Sequence, residues 1–216
     1  DTELYLENKN VLITAGPTRE AIDPDRFISN RSSGKMGFAI AKAAKEFGAN
    51  VDLVSGPVHL GDLPEVNIIK IETAEEMDCE IQNQLKKINY DYIFMTAAVS
   101  DYKVKEVAKN KIKSEYDSLK LQLSKSPDIL KKITTNQNSA KIIGFALETN
   151  NGEKEALKKL KNKKLDYIVL NYANEEGAGF DTNTNHVFVY SSSGNKTEFK
   201  LDRKDRIAKN IIKKVL

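Results

Sequence analysis

Hydrophobic positions along the chain form short runs that alternate with longer segments of helical spacing. The four residues at 92–95 are all hydrophobic, as in a strand that is covered on both faces of a sheet. Between residues 74 and 88, Met77, Ile81 and Leu85 fall on one helical face. This alternation predicts an α/β domain with a mainly parallel sheet. The predicted strands are 11–14, 51–54, 68–71, 92–96, 142–146 and 167–170, and the predicted helices are 35–47, 74–88, 126–134, 153–163 and 203–215.

One stretch that departs from this alternation lies between the fourth and fifth predicted strands. Residues 104–123 are rich in lysine and end in Leu119, Leu121 and Leu123 at alternate positions. This end predicts a strand outside the main sheet.

A second departure lies near the end of the chain. Residues 171–185, which we call the flap, are rich in Gly, Asn and acidic residues. A loop of this length in a compact domain predicts a functional segment. The runs 187–190 and 197–201 around a Ser-Gly-Asn turn predict a hairpin. We therefore expect one domain over residues 1–216: a Rossmann-like, mainly parallel sheet flanked by helices, with a small antiparallel excursion and a C-terminal hairpin.

Composition narrows the class of protein. The chain has 216 residues, of which 40% are hydrophobic and 30% charged, as expected for a globular protein with a full core. A net charge of +3 provides no global field for nucleic acid. The single cysteine, Cys79, excludes an internal disulfide and fits a reducing compartment. No run has the length of a membrane span, so we expect a cytoplasmic protein with no nucleic-acid or membrane partner.

The segment 28–37 predicts an anion site. It reads Ile-Ser-Asn-Arg-Ser-Ser-Gly-Lys-Met-Gly and ends where the helix predicted at 35–47 begins. The first N–H groups of a helix lack intrahelical partners and attract anions. Glycine lets a phosphate approach the backbone, and Ser32 and Ser33 can hydrogen-bond its oxygens. Small and polar residues also follow the other predicted strands, where ligands of open α/β sheets bind. One Ser-Ser-Gly alone also fits a polar loop with an ordinary N-cap.

Several common nucleotide-binding and catalytic motifs are absent from the sequence. No G-x-G-x-x-G follows the first predicted strand, and no G-x-x-x-x-G-K-[ST] occurs. The only histidines, His59 and His186, are far apart, and no residues have zinc-ligand spacing. Cys79 falls in the middle of a predicted helix, where a packed or surface thiol is the simpler interpretation.

Lysines remain as candidate cations. Lys109, Lys111 and Lys113 alternate after Asp101, and five more lysines crowd the end of the helix predicted at 153–163. Phosphoryl chemistry operates through positioning and charge neutralisation, so lysines and backbone N–H groups suffice for it. For any single lysine, a solvated basic face is the alternative.

Taken together, these residues closely resemble the bacterial, CTP-using phosphopantothenoylcysteine synthetases. The matching strings occur in order over nearly the whole chain: ITAGPTREAIDPDRFISNRSSGKMGFAIA, TAAVSDYK, KNKIK, SKSPDIL, IIGFALETNN, KKLDYIVLN and GFDTNTN. In many bacteria this domain follows a flavin-dependent decarboxylase in one polypeptide, and a chain that opens at Asp1 suits that arrangement.

The resemblance implies a two-step ligase reaction of coenzyme A biosynthesis. The carboxylate of 4′-phosphopantothenate attacks the α-phosphate of CTP, which gives an acyl-cytidylate and pyrophosphate. The amine of L-cysteine then attacks the acyl carbon, which gives the amide and CMP. Mg²⁺ is the implied cofactor because it offsets charge on the triphosphate. The implied assembly is a homodimer, with the excursion at 104–123 as the expected contact.

The resemblance also assigns residues. Asn30 and Lys111 are the implied catalytic residues, and residues 171–185 the implied mobile flap, with Gly177, Gly179 and Phe180 in it. The implied nucleotide-binding residues are Gly16, Ser32, Ser33, Gly34, Ala97, Asp101, Lys111, Pro127, Asp128, Ile129, Leu130, Phe145, Lys159 and Lys163. For Asp101, chemistry alone leaves open whether the partner is the ribose or the cytosine amino group. No metal ligands are assigned.

Two other functions stay open at this point. A non-catalytic nucleotide-binding module would keep the crevice and lack turnover. An NAD(P)-dependent oxidoreductase would bind nicotinamide tightly, although its glycine fingerprint is missing.

Overall fold

A computed structural model of the chain describes residues 3–113, 118–136, 139–175, 177–179 and 181–216. Within these ranges the strands are β1 Asn10–Ala15, β2 Arg19–Ala21, β3 Phe27–Ser29, β4 Asn50–Ser55, β5 Asn67–Lys70, β6 Tyr92–Met95, β7 Tyr102–Val104, β8 Leu123–Lys125, β9 Lys141–Glu148, β10 Tyr167–Tyr172, β11 Thr184–Ser191 and β12 Lys196–Arg203. The helices are α1 Lys35–Glu46, α2 Ala74–Lys87, α3 Ile129–Asn136, α4 Gly152–Asn162 and α5 Lys204–Val215.

One large sheet organises the fold, in the order β12-β11-β10-β9-β6-β1-β4-β5. The six strands from β10 to β5 are parallel, and β11 and β12 extend the sheet antiparallel. The chain runs outward from β1 through β4 and β5, then returns to β6 on the other side of β1. The carboxyl ends of β1 and β6 therefore flank a switch point, where open α/β sheets bind ligands. The Ala98 N–H donates to the Gly16 carbonyl at 2.9 Å across this point.

Hydrophobic layers cover both faces of the sheet. α1 and α5 pack on one face, where Ile40 and Ile211 are fully buried. α2, α3 and α4 pack on the other face, where Met77 and Ile133 are fully buried. Successive strand side chains point to opposite faces, and Leu12 accordingly belongs to the second layer while its neighbours in β1 belong to the first. Two covered faces explain the continuous hydrophobic runs in the sequence.

The predicted fold is confirmed, including all six predicted strands of the parallel sheet and the C-terminal hairpin. Two local predictions need correction, and one hairpin was not predicted. The helix expected at 126–134 begins at Ile129, because the Asp128 carboxylate accepts the Lys131 N–H at 3.1 Å as an N-cap residue does. The strand expected to include Leu119 and Leu121 covers only β8, which pairs antiparallel with β7. The β2–β3 hairpin was missed, since three-residue strands are too short to show alternation. The part of the excursion at 114–117 lies outside the described residues.

Within the described ranges, none of the helices combines the length and the apolar character that crossing a membrane would require.

The close approach of α1 to the sheet generates a stability prediction. A Cβ atom on the buried Gly37 would lie 2.6 Å from the Ala15 Cβ of β1 and would also overlap the Thr96 hydroxyl. We expect Gly37→Ala to lower the free energy of unfolding by roughly 1–3 kcal/mol, because neither backbone can yield without shifting α1. Urea denaturation measures the change.

Gly61→Ala is the matched control, since nothing lies within 4 Å of its added methyl group. We expect its stability to change by less than about 0.5 kcal/mol. Equal stabilities of the two variants would contradict the close-packing argument.

Candidate functional site

The N-terminus of α1 lies at the switch point of the sheet. Gly34 is the N-cap residue, with a left-handed φ of 77°, and a Cβ there would lie 2.6 Å from Val58 Cγ1. The Gly34 N–H donates to Ser32 Oγ at 3.3 Å, which shapes the loop before the helix. Because the N-cap is a glycine, no side chain of that residue caps the first turn. Its N–H groups therefore remain suited to an anion.

Many of the predicted nucleotide-binding residues line one cavity of about 480 Å³, which we call cavity A. They come from four separate parts of the chain: the loop after β6, strand β9, the β8–α3 connection with the first turn of α3, and the end of α4. These residues are Ala97, Asp101, Pro127, Asp128, Ile129, Leu130, Phe145, Lys159 and Lys163.

Three lysines line cavity A: Lys125 from β8, and Lys159 and Lys163, the two that the resemblance named. Lys159 and Lys163 lie one turn apart at the end of α4, so both reach the same side of the helix. The Lys159 ammonium donates to the Phe145 carbonyl at 2.7 Å, and burial lowers its pKa, although the nearby Glu148 carboxylate acts in the opposite direction. Lys163 bonds the Asp128 carboxylate. Burial acts to raise the pKa of Asp128, but the hydrogen bond from Lys163 and other favourable contacts outweigh it and lower the pKa.

A second cavity of about 300 Å³, cavity B, lies against the first turn of α1. Ser32, Ser33 and Gly34 line it, as predicted for a phosphate site. It adjoins cavity A, because the two share wall residues: Ala97, Val99, Asp101, Phe145 and Lys159. An elongated anion could therefore extend from one cavity into the other.

A third cavity of about 370 Å³, cavity C, lies on the other side of the loop before α1. It shares Ser32, Ser33 and Lys35 with cavity B. Asn30 lines cavity C, and its amide nitrogen donates at 2.9 Å to the carbonyl of Ala98, a residue that lines cavity B. The Asn30 amide is thus placed where cavities B and C approach each other.

Lys111 is not among the residues that line cavities A, B or C. Its ammonium pairs with the Asp25 carboxylate at 2.6 Å, and its side chain is 67% exposed. The neighbouring Ile112 is held by the buried Asp23, whose carboxylate accepts the Ile112 N–H at 3.0 Å. Asp23 also accepts the Arg26 guanidinium at 2.6 Å. Asp23 and Arg26, which lie in the sequence Asp-Pro-Asp-Arg, therefore anchor the segment that carries Lys111. The catalytic role of Lys111 stays a prediction.

Two other predicted residues, Gly16 and Gly177, do not line cavities A, B or C, and a third, Phe180, is not among the described residues. Gly16 lies behind Gly34 in a turn with φ of 75°, where a Cβ would approach Val58, so it supports the α1 N-terminus. Gly177 accepts a hydrogen bond from the Thr184 hydroxyl within the flap, whereas Gly179 lines cavity B.

Sequence analysis missed Lys204, which is 5% exposed and lines cavity B. Burial, together with the charge of Lys35, lowers the pKa of Lys204 to about 8, while Asp181 acts in the opposite direction. Its position as the first residue of α5 was the available signal, since a cation there opposes the helix dipole.

Carboxylates in the cavities are few. Within the described ranges, no three His, Cys, Asp or Glu side chains are grouped as they would be around a metal ion held by the protein alone. Asp101 and Glu148 line cavity B. Mg²⁺ that arrives with a nucleotide needs only one or two protein carboxylates besides the phosphate oxygens, so these residues fit such an ion.

Comparison with known proteins identifies the family. The model of the DNA/pantothenate metabolism flavoprotein C-terminal domain matches residues 6–216. The chain belongs to this family. Among its relatives, the coenzyme A biosynthesis bifunctional protein CoaBC of Vibrio vulnificus is 42% identical over 213 residues, which cover 97% of this chain and 52% of that protein. CoaBC of Bacillus subtilis is 40% identical over 217 residues, 100% of this chain and 53% of that protein.

A solved structure agrees with this assignment. The crystal structure of the C-terminal domain of a CoaBC protein superposes with a TM-score of 0.84 at 38% identity, covering 99% of this chain and 96% of that one. Membership of the DNA/pantothenate metabolism flavoprotein C-terminal domain family confirms the resemblance drawn from the sequence. The chain spans about half the length of the curated relatives it matches.

The anchoring role of Asp23 generates a pH prediction. Hydrogen bonds, first that from the Ile112 N–H and then those of Arg26, hold the pKa of Asp23 well below its usual range. A carboxyl group whose pKa is lowered in the folded state stabilises the fold at pH values above about 3.9, the pKa of an aspartate in the unfolded chain. This contribution is lost as the pH falls below that pKa. We therefore expect Asp23→Asn to be destabilising near pH 7, with the difference from wild type shrinking toward pH 3.

Chemical denaturation between pH 3 and pH 7 measures this difference. Asp25→Asn is the control, because its carboxylate is 55% exposed and pairs with Lys111 at the surface. A constant difference between Asp23→Asn and wild type across this range would show that Asp23 contributes through its shape and not its charge.

Proposed function

We propose that this domain is a CTP-dependent phosphopantothenate–cysteine ligase of coenzyme A biosynthesis. The observation that carries the proposal is the continuity of the three cavities around the α1 N-terminus. Cavity A adjoins cavity B, cavity B adjoins cavity C, and Asn30 lies between the last two. A nucleotide, its phosphates and a second substrate can therefore meet at one point.

The nucleotide occupies cavity A with its phosphates directed into cavity B. The base packs beside Phe145, and Asp101, at the wall shared by both cavities, accepts hydrogen bonds from the nucleotide. Lys159 and Lys163 neutralise phosphate charge, and partial burial of Lys159 strengthens that attraction. The first turn of α1 binds phosphate oxygens together with Ser32 and Ser33.

The second substrate, 4′-phosphopantothenate, enters from cavity C with its carboxylate toward Asn30. Its carboxylate oxygen bonds to the α-phosphorus, and pyrophosphate leaves. The amine of L-cysteine then bonds to the acyl carbon, CMP leaves, and the amine loses a proton. The Asn30 amide is a neutral donor, so it can stabilise charge that develops on the carbonyl or phosphate oxygens. Lys111 supplies further positive charge once its ammonium leaves Asp25.

Mg²⁺ belongs to the proposal as the cofactor that offsets the charge of the triphosphate. Asp101 and Glu148 are the residues that would hold it.

The assembly is proposed as well. Family resemblance supports a homodimer, and Tyr102, Leu121 and Leu123 are large hydrophobic side chains exposed on or beside the β7–β8 sheet. A second copy of the chain would cover them. The proposed partner enzyme is a flavin-dependent decarboxylase, fused to this domain or separate from it, which consumes the ligase product.

The ligase assay tests the proposal directly. The domain is incubated with Mg²⁺, CTP, 4′-phosphopantothenate and L-cysteine, and CMP, pyrophosphate and the amide are quantified, with ATP replacing CTP in a parallel series. We expect product with CTP and far less with ATP. Nucleotide binding without release of pyrophosphate would favour the non-catalytic module. Tight nicotinamide binding in a fluorescence titration would favour the oxidoreductase.

Asn30→Asp tests the step assigned to the amide. A carboxylate cannot donate to the Ala98 carbonyl, and its negative charge would face the phosphates. We expect kcat/KM for the first step, measured by pyrophosphate release, to fall on the order of 100-fold.

Asn89→Asp is the charge-matched control, because Asn89 lies at the opposite end of the sheet, away from cavities A to C. It should retain wild-type kinetics. Normal pyrophosphate release by Asn30→Asp would remove Asn30 from the mechanism.

A further inference from the structure

Lys204 is a buried cation whose contacts are flap carbonyls. It is the first residue of α5 and is 5% exposed. Its ammonium donates to the Gly179 carbonyl at 2.8 Å and to the Thr182 carbonyl at 2.7 Å. Both acceptors belong to the flap, and Gly179 and Lys204 both line cavity B.

Lys35 makes the corresponding contact from α1. It is the first residue of that helix, and its ammonium donates to the Asp181 carbonyl at 2.6 Å and pairs with the Asp181 carboxylate at 3.1 Å. α1 and α5 pack against each other, so their two N-termini face the same part of the flap. Two lysines therefore hold three nearby flap residues: Gly179, Asp181 and Thr182.

Packing alone does not explain an ammonium at position 204. A lysine at a helix N-terminus opposes the helix dipole, and a buried ammonium loses its hydration. A methionine of similar length would fill the space without either cost. The carbonyl oxygens of the flap offset the cost, which ties the charge of Lys204 to the position of the flap.

We propose that Lys204 is a positioning residue that holds the flap over cavity B through Gly179 and Thr182. The functional consequence of this inference rests on the proposed ligase function. A flap held in this position excludes water from the acyl-cytidylate, whose mixed anhydride would otherwise be hydrolysed. Lys204 thereby protects the coupling of pyrophosphate release to amide formation.

The titration of Lys204 adds a second signature. The charged groups that act on it are Lys35 of α1 and Asp181 of the flap. With its pKa near 8, the ammonium loses its proton as the pH rises through 8 and its bonds to the carbonyls weaken. An arginine at this position stays charged throughout this range.

Two variants and one control form the experiment. Lys204→Met removes the charge, Lys204→Arg retains it, and Lys209→Met removes a lysine of the same helix that pairs with Glu46 at the surface at 2.7 Å. The first readout is amide hydrogen exchange of residues 177–184 in the free protein. We expect exchange in Lys204→Met to be faster by roughly tenfold or more, and exchange in Lys209→Met to match wild type.

The second readout is the molar ratio of pyrophosphate released to amide formed. We expect a ratio near one for wild type at pH 7 and a higher ratio for Lys204→Met, because water then competes with cysteine. Between pH 7 and pH 9 the ratio should rise for wild type and stay constant for Lys204→Arg. This comparison tests the proposal even where Lys204→Met fails to fold.

The outcomes are separable. Wild-type exchange of the flap in a folded Lys204→Met would overturn the proposal whatever the activity. Faster exchange with an unchanged ratio would overturn the role in coupling. An inactive wild-type domain would be a failure of the proposed ligase function, and the hydrogen-exchange comparison would still decide whether Lys204 positions the flap.

Discussion

The close contact between α1 and the end of β1 is the constraint on which the site depends. Gly37 has no side chain, so the first turn of α1 lies against Ala15 and Thr96. Gly34 then turns the chain into the helix in a conformation that suits glycine. This arrangement places the helix N-terminus at the switch point of the sheet, between the ends of β1 and β6. Cavities A, B and C all border this point or the residues beside it, so their relative positions follow from the packing of one helix.

Positive charge is concentrated at the same end of the sheet. The N-termini of α1 and α5 carry partial positive charge, and each begins with a lysine. Lys159 adds a third cation from α4. In the free protein, backbone carbonyls of Phe145, Gly179 and Thr182 accept hydrogen bonds from these ammonium groups. Lys159 and Lys204 thus have neutral acceptors in a region where an anionic ligand is expected, whereas Lys35 also pairs with the Asp181 carboxylate.

The sequence was informative wherever a signal repeats or is local. The alternation of strands and helices predicted the sheet, and the resemblance named Lys159 and Lys163, which line one cavity. The sequence was uninformative where contacts join segments that are far apart along the chain. Nothing local indicates that Asp23 accepts the Ile112 N–H, 89 residues away, or that Lys204 reaches the carbonyl of Gly179. Resemblance to a family identifies Lys111 as a residue of interest, but it does not predict where the side chain lies. Its position beside Asp25 depends on packing in three dimensions. The anchoring of the Lys111 segment therefore became visible only in three dimensions.

The last strand of the sheet has a consequence for self-association. β12 is an edge strand, and its residues at 196, 198, 200 and 202 are Lys, Glu, Lys and Asp. One face of the edge therefore carries a charge at every position, with opposite signs along the strand. A second β12 that paired edge to edge would place like charges opposite each other in every second register, and those registers would be disfavoured. The charges on the open edge therefore restrict the registers in which a second strand could extend the sheet from molecule to molecule.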